Sequence, residues 1–292
     1  MEIAIAVSSS DILGEGVVWS ARDRKVLWTD IVGRKLWSFD PGSRLASSVD
    51  LSERLTCFAP TWDGSLLAGF AGGLGVHVDN SAEIRWPIEQ DQPTTRLNDG
   101  RLDREGRFVF GTMDEGDAGP KPIASVWSFD GSSPPVTLLS GLRITNSLAF
   151  SPDGRTMYVA DTPTRTIWTY DYSTDGTTSN GRLFAEVDSD GGYPDGSTVD
   201  SDGYLWNCEW EGHRVVRYDP RGRVDRIVRL PVSKPTCCAF GGDDLSTLYI
   251  TSARYGMTED QIRAEPDAGS LLAIVPGVTG LADSLFKGTL AR

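Results

Sequence analysis

Four residues far apart in the chain, Glu15, Asn98, Asn146 and Asp195, carry carboxylate or amide oxygens at equivalent points of a repeating pattern. Counting back seven residues from Asp63, Glu105, Asp153, Asp202 and Asp243 reaches Thr56, Asn98, Asn146, Asp195 and Thr236. In the first repeat the turn is one residue longer, and eight back from Asp23 stands Glu15. Packing alone does not ask for polar residues at all six places. A buried charge without a partner costs several kcal/mol, so two carboxylates facing one channel need a cation, a proton or water. Oxygen donors from Glu, Asp and Asn suit Ca²⁺, Mg²⁺ or Mn²⁺, with Zn²⁺ and Fe²⁺ also in range. Three protein ligands leave positions open for water and substrate, as a catalytic site requires. The competing account is that acids and amides at loop–strand junctions cap turns. It explains any one of the four more easily than all of them.

The elements that must hold this ring are strands. Six apolar, β-branched or aromatic segments recur: "KVLWTDI", "SLLAGF", "RFVFGTM", "TMYVADT", "YLWNCEW" and "TLYITSA". Before each comes a turn rich in Asp, Gly or Arg, such as "SARDR", "DREGR" and "SPDGR". Gly, Asp and Asn tolerate the positive φ of tight hairpins, so this chemistry joins antiparallel strands. A further strand follows each segment, among them "KLWSFDP", "SVWSFDG" and "TIWTYDY". The repeat of roughly 39 to 50 residues suits four strands per unit. Six units over residues 1–292 predict a single all-β domain, a six-bladed β-propeller. The last unit has no room for a regular fourth strand after "SLLAIVP", and "EIAIAV" at the N-terminus is expected to supply it. "MTEDQIRAE" is the one helical segment foreseen.

In such a unit the innermost strand runs down the channel into the Asp/Gly turn, which sets the six polar residues at one mouth. Loops between the second and third strands emerge on that side. Two are long, "MDEGDAGPKPIA" and "SARYGMTEDQIRAEPDAG", and suit pocket walls or lids. Arg96, two residues before Asn98, is placed to hold an oxygen of a polar ligand or to make a surface salt bridge.

The totals exclude other classes. The chain has 292 residues and a net charge of -13, a field that repels nucleic acid and anionic membrane. "MEIAIAVSSS" has an acid at its second position and too short an apolar run for a signal peptide, so a cytoplasmic protein is expected. Cys57, Cys208, Cys237 and Cys238 show no CxxC spacing and read as reduced thiols. Cys208, Cys237 and Cys238 are expected to pack in inner strands. With His77 and His213 the only histidines, a Ser-His-Asp triad is improbable and a His-rich zinc cage is excluded.

The stretches "LGEGVVW", "TRLNDGRLDREGRFVFGTM", "TNSLAFSPDGRTMYVADT" and "YPDGSTVDSDGYLWNCEWEGHRVVRYDP" resemble the senescence marker protein/gluconolactonase/luciferin-regenerating enzyme family, the regucalcin-like proteins. Together they span most of the chain. The resemblance implies a six-bladed propeller with one divalent cation, Ca²⁺, Zn²⁺, Mn²⁺, Mg²⁺ or Fe²⁺, at the channel mouth. It implies the ligands Glu15, Asn146 and Asp195, and substrate contacts from Arg96 and Asn98. Many relatives read "GTMAEE" where this chain reads "GTMDEG". The second acid is replaced by Gly116, leaving Asp114 or Glu115 to take its place; Asp114 is the first choice. "TNS" stands for the commoner "PNG" and keeps Asn146.

Within the family the chain is similar to bacterial pentonolactonases. That implies hydrolysis of L-arabinono-1,4-lactone or a related pentono- or hexonolactone, a small molecule. A monomer or weak oligomer is expected. In this scheme Asp195 is the catalytic base as well as a ligand, and Arg96, Asn98 and Asp114 orient sugar hydroxyls. The alternatives are another metal-dependent hydrolase on the same scaffold, such as a gluconolactonase or a phosphotriesterase, and a non-enzymatic metal-binding propeller.

Overall fold

The Asp-Gly and Glu-Gly turns close hairpins where the sequence sets them. In four of them the glycine N–H reaches back three residues: Gly64 to Thr61 at 3.2 Å, Gly106 to Asp103 at 3.1 Å, Gly154 to Ser151 at 2.9 Å and Gly203 to Asp200 at 3.0 Å. Asp103 and Asp200 each add a carboxylate that accepts two further N–H groups of the same turn. These short acceptors hold the turn that joins the paired strands.

The computed structural model describes residues 2–78, 81–288 and 290. Among them, strands form six four-stranded antiparallel sheets, the blades of the expected six-bladed β-propeller. β1 (Ile3–Val7) comes first and joins the last sheet. β2 (Gly14–Ser20), β3 (Lys25–Asp30), β4 (Lys35–Asp40) and β5 (Leu45–Asp50) make one sheet. β6 (Leu55–Pro60), β7 (Leu66–Phe70), β8 (Gly73–Val78) and β9 (Ser81–Pro87) make the next. Then come β10 (Thr95–Leu102), β11 (Phe108–Asp114), β12 (Ala124–Phe129) and β13 (Val136–Leu142). β14 (Thr145–Phe150), β15 (Thr156–Asp161), β16 (Thr166–Tyr172) and β17 (Thr178–Glu186) follow. β18 (Tyr193–Val199), β19 (Leu205–Trp210), β20 (Arg214–Tyr218) and β21 (Val224–Arg229) make the fifth. β22 (Pro235–Gly241), β23 (Thr247–Ser252) and β24 (Leu271–Ile274) complete the chain, and β1 pairs with β24 as the sequence requires. The foreseen helix is α1 (Glu259–Ala264), closed by a capping box between Thr258 and Gln261. No helix among the described residues is long and apolar enough to cross a membrane.

The contacts divide the chain into two compact units of three sheets. The first is Met1–Asp50 with Val187–Ala282, and the second is Leu51–Glu186 with Asp283–Arg292. In the first, inner strand β22 packs against β2 on one side and β18 on the other. In the second, inner strand β10 packs against β6 and β14. Apolar side chains fill the gaps between neighbouring sheets of each unit. Trp206, Phe240, Leu248 and Ile250 meet in one, and Phe108, Phe110, Phe129 and Phe286 in the other. The four cysteines are buried free thiols. Cys57, Cys237 and Cys238 lie on inner strands, but Cys208 does not: it sits on β19, the second strand of its sheet, with its side chain in the core.

The loop that leads to Glu15 is held by two acids. Asp30 accepts the N–H groups of Ile12 and Leu13 at 3.0 Å each, and that of Gly33 at 2.8 Å. Asp11 is buried, and its Oδ2 accepts from Trp28 Nε1 and Ser9 Oγ, both at 2.8 Å. Burial pushes the Asp11 carboxyl up to about 7, with Asp30 adding to the shift and the hydrogen bonds from Trp28 and Ser9 opposing it. A carboxyl that keeps its proton longer in the folded state stabilises at low pH, and loses that contribution as pH rises to its folded value. Relative to Asp11→Asn, the wild type should lose about 3 kcal/mol of unfolding free energy between pH 5 and pH 8. Urea unfolding of both chains at the two pH values checks this; parallel pH dependence would refute it.

Candidate active site

Every inner strand breaks register where the candidate residues lie. The shift falls between Glu15 and Val18 in β2, Leu55 and Cys57 in β6, and Leu97 and Gly100 in β10. It falls between Asn146 and Ala149 in β14, Pro194 and Ser197 in β18, and Pro235 and Cys238 in β22. A bulge inserts an unpaired residue and re-aims its neighbours' side chains. The residues after Glu15 and Asn146, Gly16 and Ser147, both adopt φ 59. The N–H groups released from the ladder are taken by side chains. Gly16 donates to Glu15 Oε2 at 3.0 Å, Gly100 to Asp99 Oδ1 at 2.8 Å, and Cys237 to Thr251 Oγ1 at 3.1 Å. Asp99 Oδ2 accepts the N–H of Leu148 at 2.9 Å and so ties the β10 bulge to the β14 bulge.

In the second unit a continuous polar chain runs through the expected residues. Arg96 Nη1 donates to Asn98 Oδ1 at 3.0 Å. Asn98 Nδ2 donates to Asn146 Oδ1 and to the Thr145 carbonyl, both at 3.0 Å. Asn146 Nδ2 donates to Thr162 Oγ1 at 2.9 Å. Arg96 and Asn146 are buried. The network assigns both amides: Asn98 turns its oxygen to the guanidinium, and Asn146 turns its oxygen to Asn98.

In the first unit Asp195 is buried within the β18 bulge, and Asn207 Nδ2 holds its backbone carbonyl at 3.0 Å. Glu15, half-buried, opens the β2 bulge. Between these strands, Thr236 on β22 donates its hydroxyl to the Gly14 carbonyl at 2.5 Å. Thr56, its counterpart in the other unit, donates to the Gly69 carbonyl at 2.9 Å. Both threonines are therefore engaged by backbone.

The loop after β11 separates the two acids left near Gly116. Asp114 is buried and accepts the N–H groups of Gly116 at 3.1 Å and Lys121 at 2.8 Å. A Thr94 hydroxyl and these N–H groups hold its carboxyl below the usual range. It thus braces residues 113–124. Glu115 instead faces guanidinium groups: Arg96 Nε lies 2.9 Å from its Oε2, and Arg54 grips both oxygens at 3.0 and 2.9 Å. Burial pushes the Glu115 carboxyl up, but the hydrogen bonds from Arg54 and the charges of Arg96 and Arg54 outweigh it and hold the group low. Asp99 and Arg54 were not singled out in the sequence. Asp99 had a signal, as the acid inside the "NDG" turn-like triplet of an inner strand; Arg54 had none.

Among the described residues no group of three or more His, Cys, Asp or Glu is gathered as a metal site. The expected set differs in kind, with two carboxylates and one amide oxygen. That donor chemistry fits a hard divalent cation. The orientation of Asn146, oxygen toward Asn98 and nitrogen toward Thr162, is compatible with service as an oxygen ligand.

A family model described as the SMP-30/Gluconolactonase/LRE-like region matches residues 13–254. An L-arabinolactonase of Azospirillum brasilense is 38% identical over 291 residues, which cover 99% of this chain and 96% of its own. A 6-deoxy-6-sulfogluconolactonase of Pseudomonas putida is 34% identical over 287 residues, covering 97% of each chain. Among solved structures, the calcium-binding protein regucalcin of Agrobacterium tumefaciens superposes with a TM-score of 0.91 at 28% identity, over 97% of this chain and 96% of its own.

The β18 bulge leaves no room for a side chain at Gly196, the residue after Asp195. A Cβ on Gly196 would lie 2.7 Å from Cys237 Sγ and 2.8 Å from its Cα, inside the β18–β22 contact. Gly196→Ala should therefore cost about 2 kcal/mol of unfolding free energy, as overpacked cores do. Urea denaturation measures it, and an unchanged midpoint would contradict the close approach.

Proposed function

The chain belongs to the SMP-30/Gluconolactonase/LRE-like family, and we propose that it hydrolyses a sugar lactone, with L-arabinono-1,4-lactone the first candidate. The observation that carries this reading is full-length similarity to lactonases together with a polar chain through Arg96, Asn98 and Asn146. The two lactonases act on different sugars at comparable identity, so the choice among aldonolactones rests on the slightly greater likeness to the arabinolactonase.

Glu15, Asn146 and Asp195 would hold one divalent cation. When bound, it supplies Lewis-acid stabilisation of the charge that grows on the lactone carbonyl oxygen. Calcium is one candidate, since the Agrobacterium regucalcin is calcium-binding; Mn²⁺, Mg²⁺, Zn²⁺ and Fe²⁺ stand beside it. Asp195 acts as general base. It takes a proton from the water that attacks the carbonyl carbon, and returns it to the ring oxygen as the acyl–oxygen bond breaks. Its burial excludes competing water. Arg96 and Asn98 orient the sugar hydroxyls, and Asp114 serves by holding the loop beside them. The product is the open aldonic acid, so turnover acidifies the medium.

Chelated protein should lose activity and regain it with a divalent salt. Asp195→Asn should lower kcat on the order of a thousandfold, the scale of a lost general base. A panel of arabinono-, galactono-, xylono- and gluconolactone beside a phosphotriester, read as acid release in weak buffer, tests the reading. Turnover of the phosphotriester alone, or none of the panel, would overturn it. Full activity after chelation would remove the cation from the scheme.

A further inference from the structure

Arg54 stands immediately before β6, and Glu115 immediately after β11, with β10 and Arg96 between them. Their backbones are pinned: Ala71 N–H donates to the Arg54 carbonyl at 3.0 Å, and Glu115 N–H donates to the Thr94 carbonyl at 2.9 Å. The Arg54 fork takes both oxygens of Glu115, a bidentate geometry that fixes the plane of the carboxylate as well as its place. One of those oxygens also receives Arg96 Nε. Two guanidinium groups thus share a single carboxylate. Without it they would repel one another across a partly buried site.

We propose that Arg54 and Glu115 are a positioning pair: together they fix the Arg96 guanidinium and, through Asn98, decide which end of the Asn146 amide is presented. Each link has one allowed polarity. Arg96 offers only donors, so Asn98 must face it with Oδ1. That leaves Asn98 Nδ2 for the Thr145 carbonyl and for Asn146, which must then face it with Oδ1. Turning either amide would set donor against donor. Asp114 does not share this part, because its oxygens are given to the Gly116 and Lys121 N–H groups. Glu115 is therefore the acid that works beside Gly116, through Arg96.

The kinetic part of this inference rests on the lactonase reading; the structural part does not. The test uses the full chain with Glu115→Ala, Glu115→Gln, Arg54→Ala and the Arg54→Ala/Glu115→Ala double variant. Side-chain amide resonances of Asn98 and Asn146, assigned by single substitution and recorded without lactone, should move in both alanine variants and in the double variant alike. An Asn146 amide unmoved by Glu115→Ala would overturn the proposal, whatever the protein hydrolyses. In the assay with lactone, each alanine variant should raise KM about tenfold with kcat within about threefold, and the double variant should be no worse than either single. Glu115→Gln, which keeps an acceptor for Arg96, should recover part of the loss. Melting temperatures should stay close to wild type, since both side chains are about one-third exposed. Additive losses, or a fall in kcat at constant KM, would also overturn it. If the wild type opens no lactone, the lactonase reading falls and the amide spectra alone decide the pair.

Discussion

A pleated strand sends successive side chains to opposite faces, and an inner strand that obeyed this rule throughout would aim its polar residues by parity alone. The bulge is what lifts that restriction. In each inner strand it interrupts the alternation once, beside a candidate residue, and regular pairing resumes after it. The interruption releases backbone donors in a buried place, where they must be satisfied. Glu15, Asp99 and Thr251 supply the acceptors. Asp99 does so for two strands at once, so the position of Asn146 relative to Asn98 is set by backbone as well as by the contact between the two amides.

The fold was legible because its signals are local and repeated. Asp-Gly turns and β-branched runs recur, and the missing strand of the last sheet pointed to the N-terminus. The polar register was legible for the same reason: a count of seven residues back from five of the turns, and of eight in the first repeat, reaches the six bulges. What lay hidden depends on contacts between distant segments. Arg54 and Glu115 are 61 residues apart, and no spacing rule joins them. The choice between Asp114 and Glu115 turned on loop backbone that offers its N–H groups to the first acid. Cys208 is expected on an inner strand but lies on β19, because an alternating apolar segment reads alike whether it is first or second in its sheet. The cation is a matter of ligand chemistry that neither sequence pattern nor strand register decides.

Acidic excess does not mean that the interior lacks cations. Arg217 reaches Asp200, Asp202 and Asp225 and stacks 3.7 Å over the Tyr204 ring. Arg214 joins Glu209 and Asp188, while the Tyr218 hydroxyl donates to Glu209 at 3.0 Å. Such clusters add modestly to net stability, yet truncating one member strands another in low dielectric. The Arg54–Glu115–Arg96 group differs in being partly open to water and in setting two guanidinium groups on one carboxylate.

The pairing of β1 with β24 joins residues from opposite ends of the polypeptide, Ile3 with Ile274 and Ile5 with Leu272. During synthesis the first strand leaves the ribosome long before its partner exists. Until then it is a short apolar segment with an unpaired edge. At high local concentration the vacancy beside β24 is equally open to the first strand of a neighbouring molecule. Exchange of that strand between copies is thus a misassembly that this pairing permits.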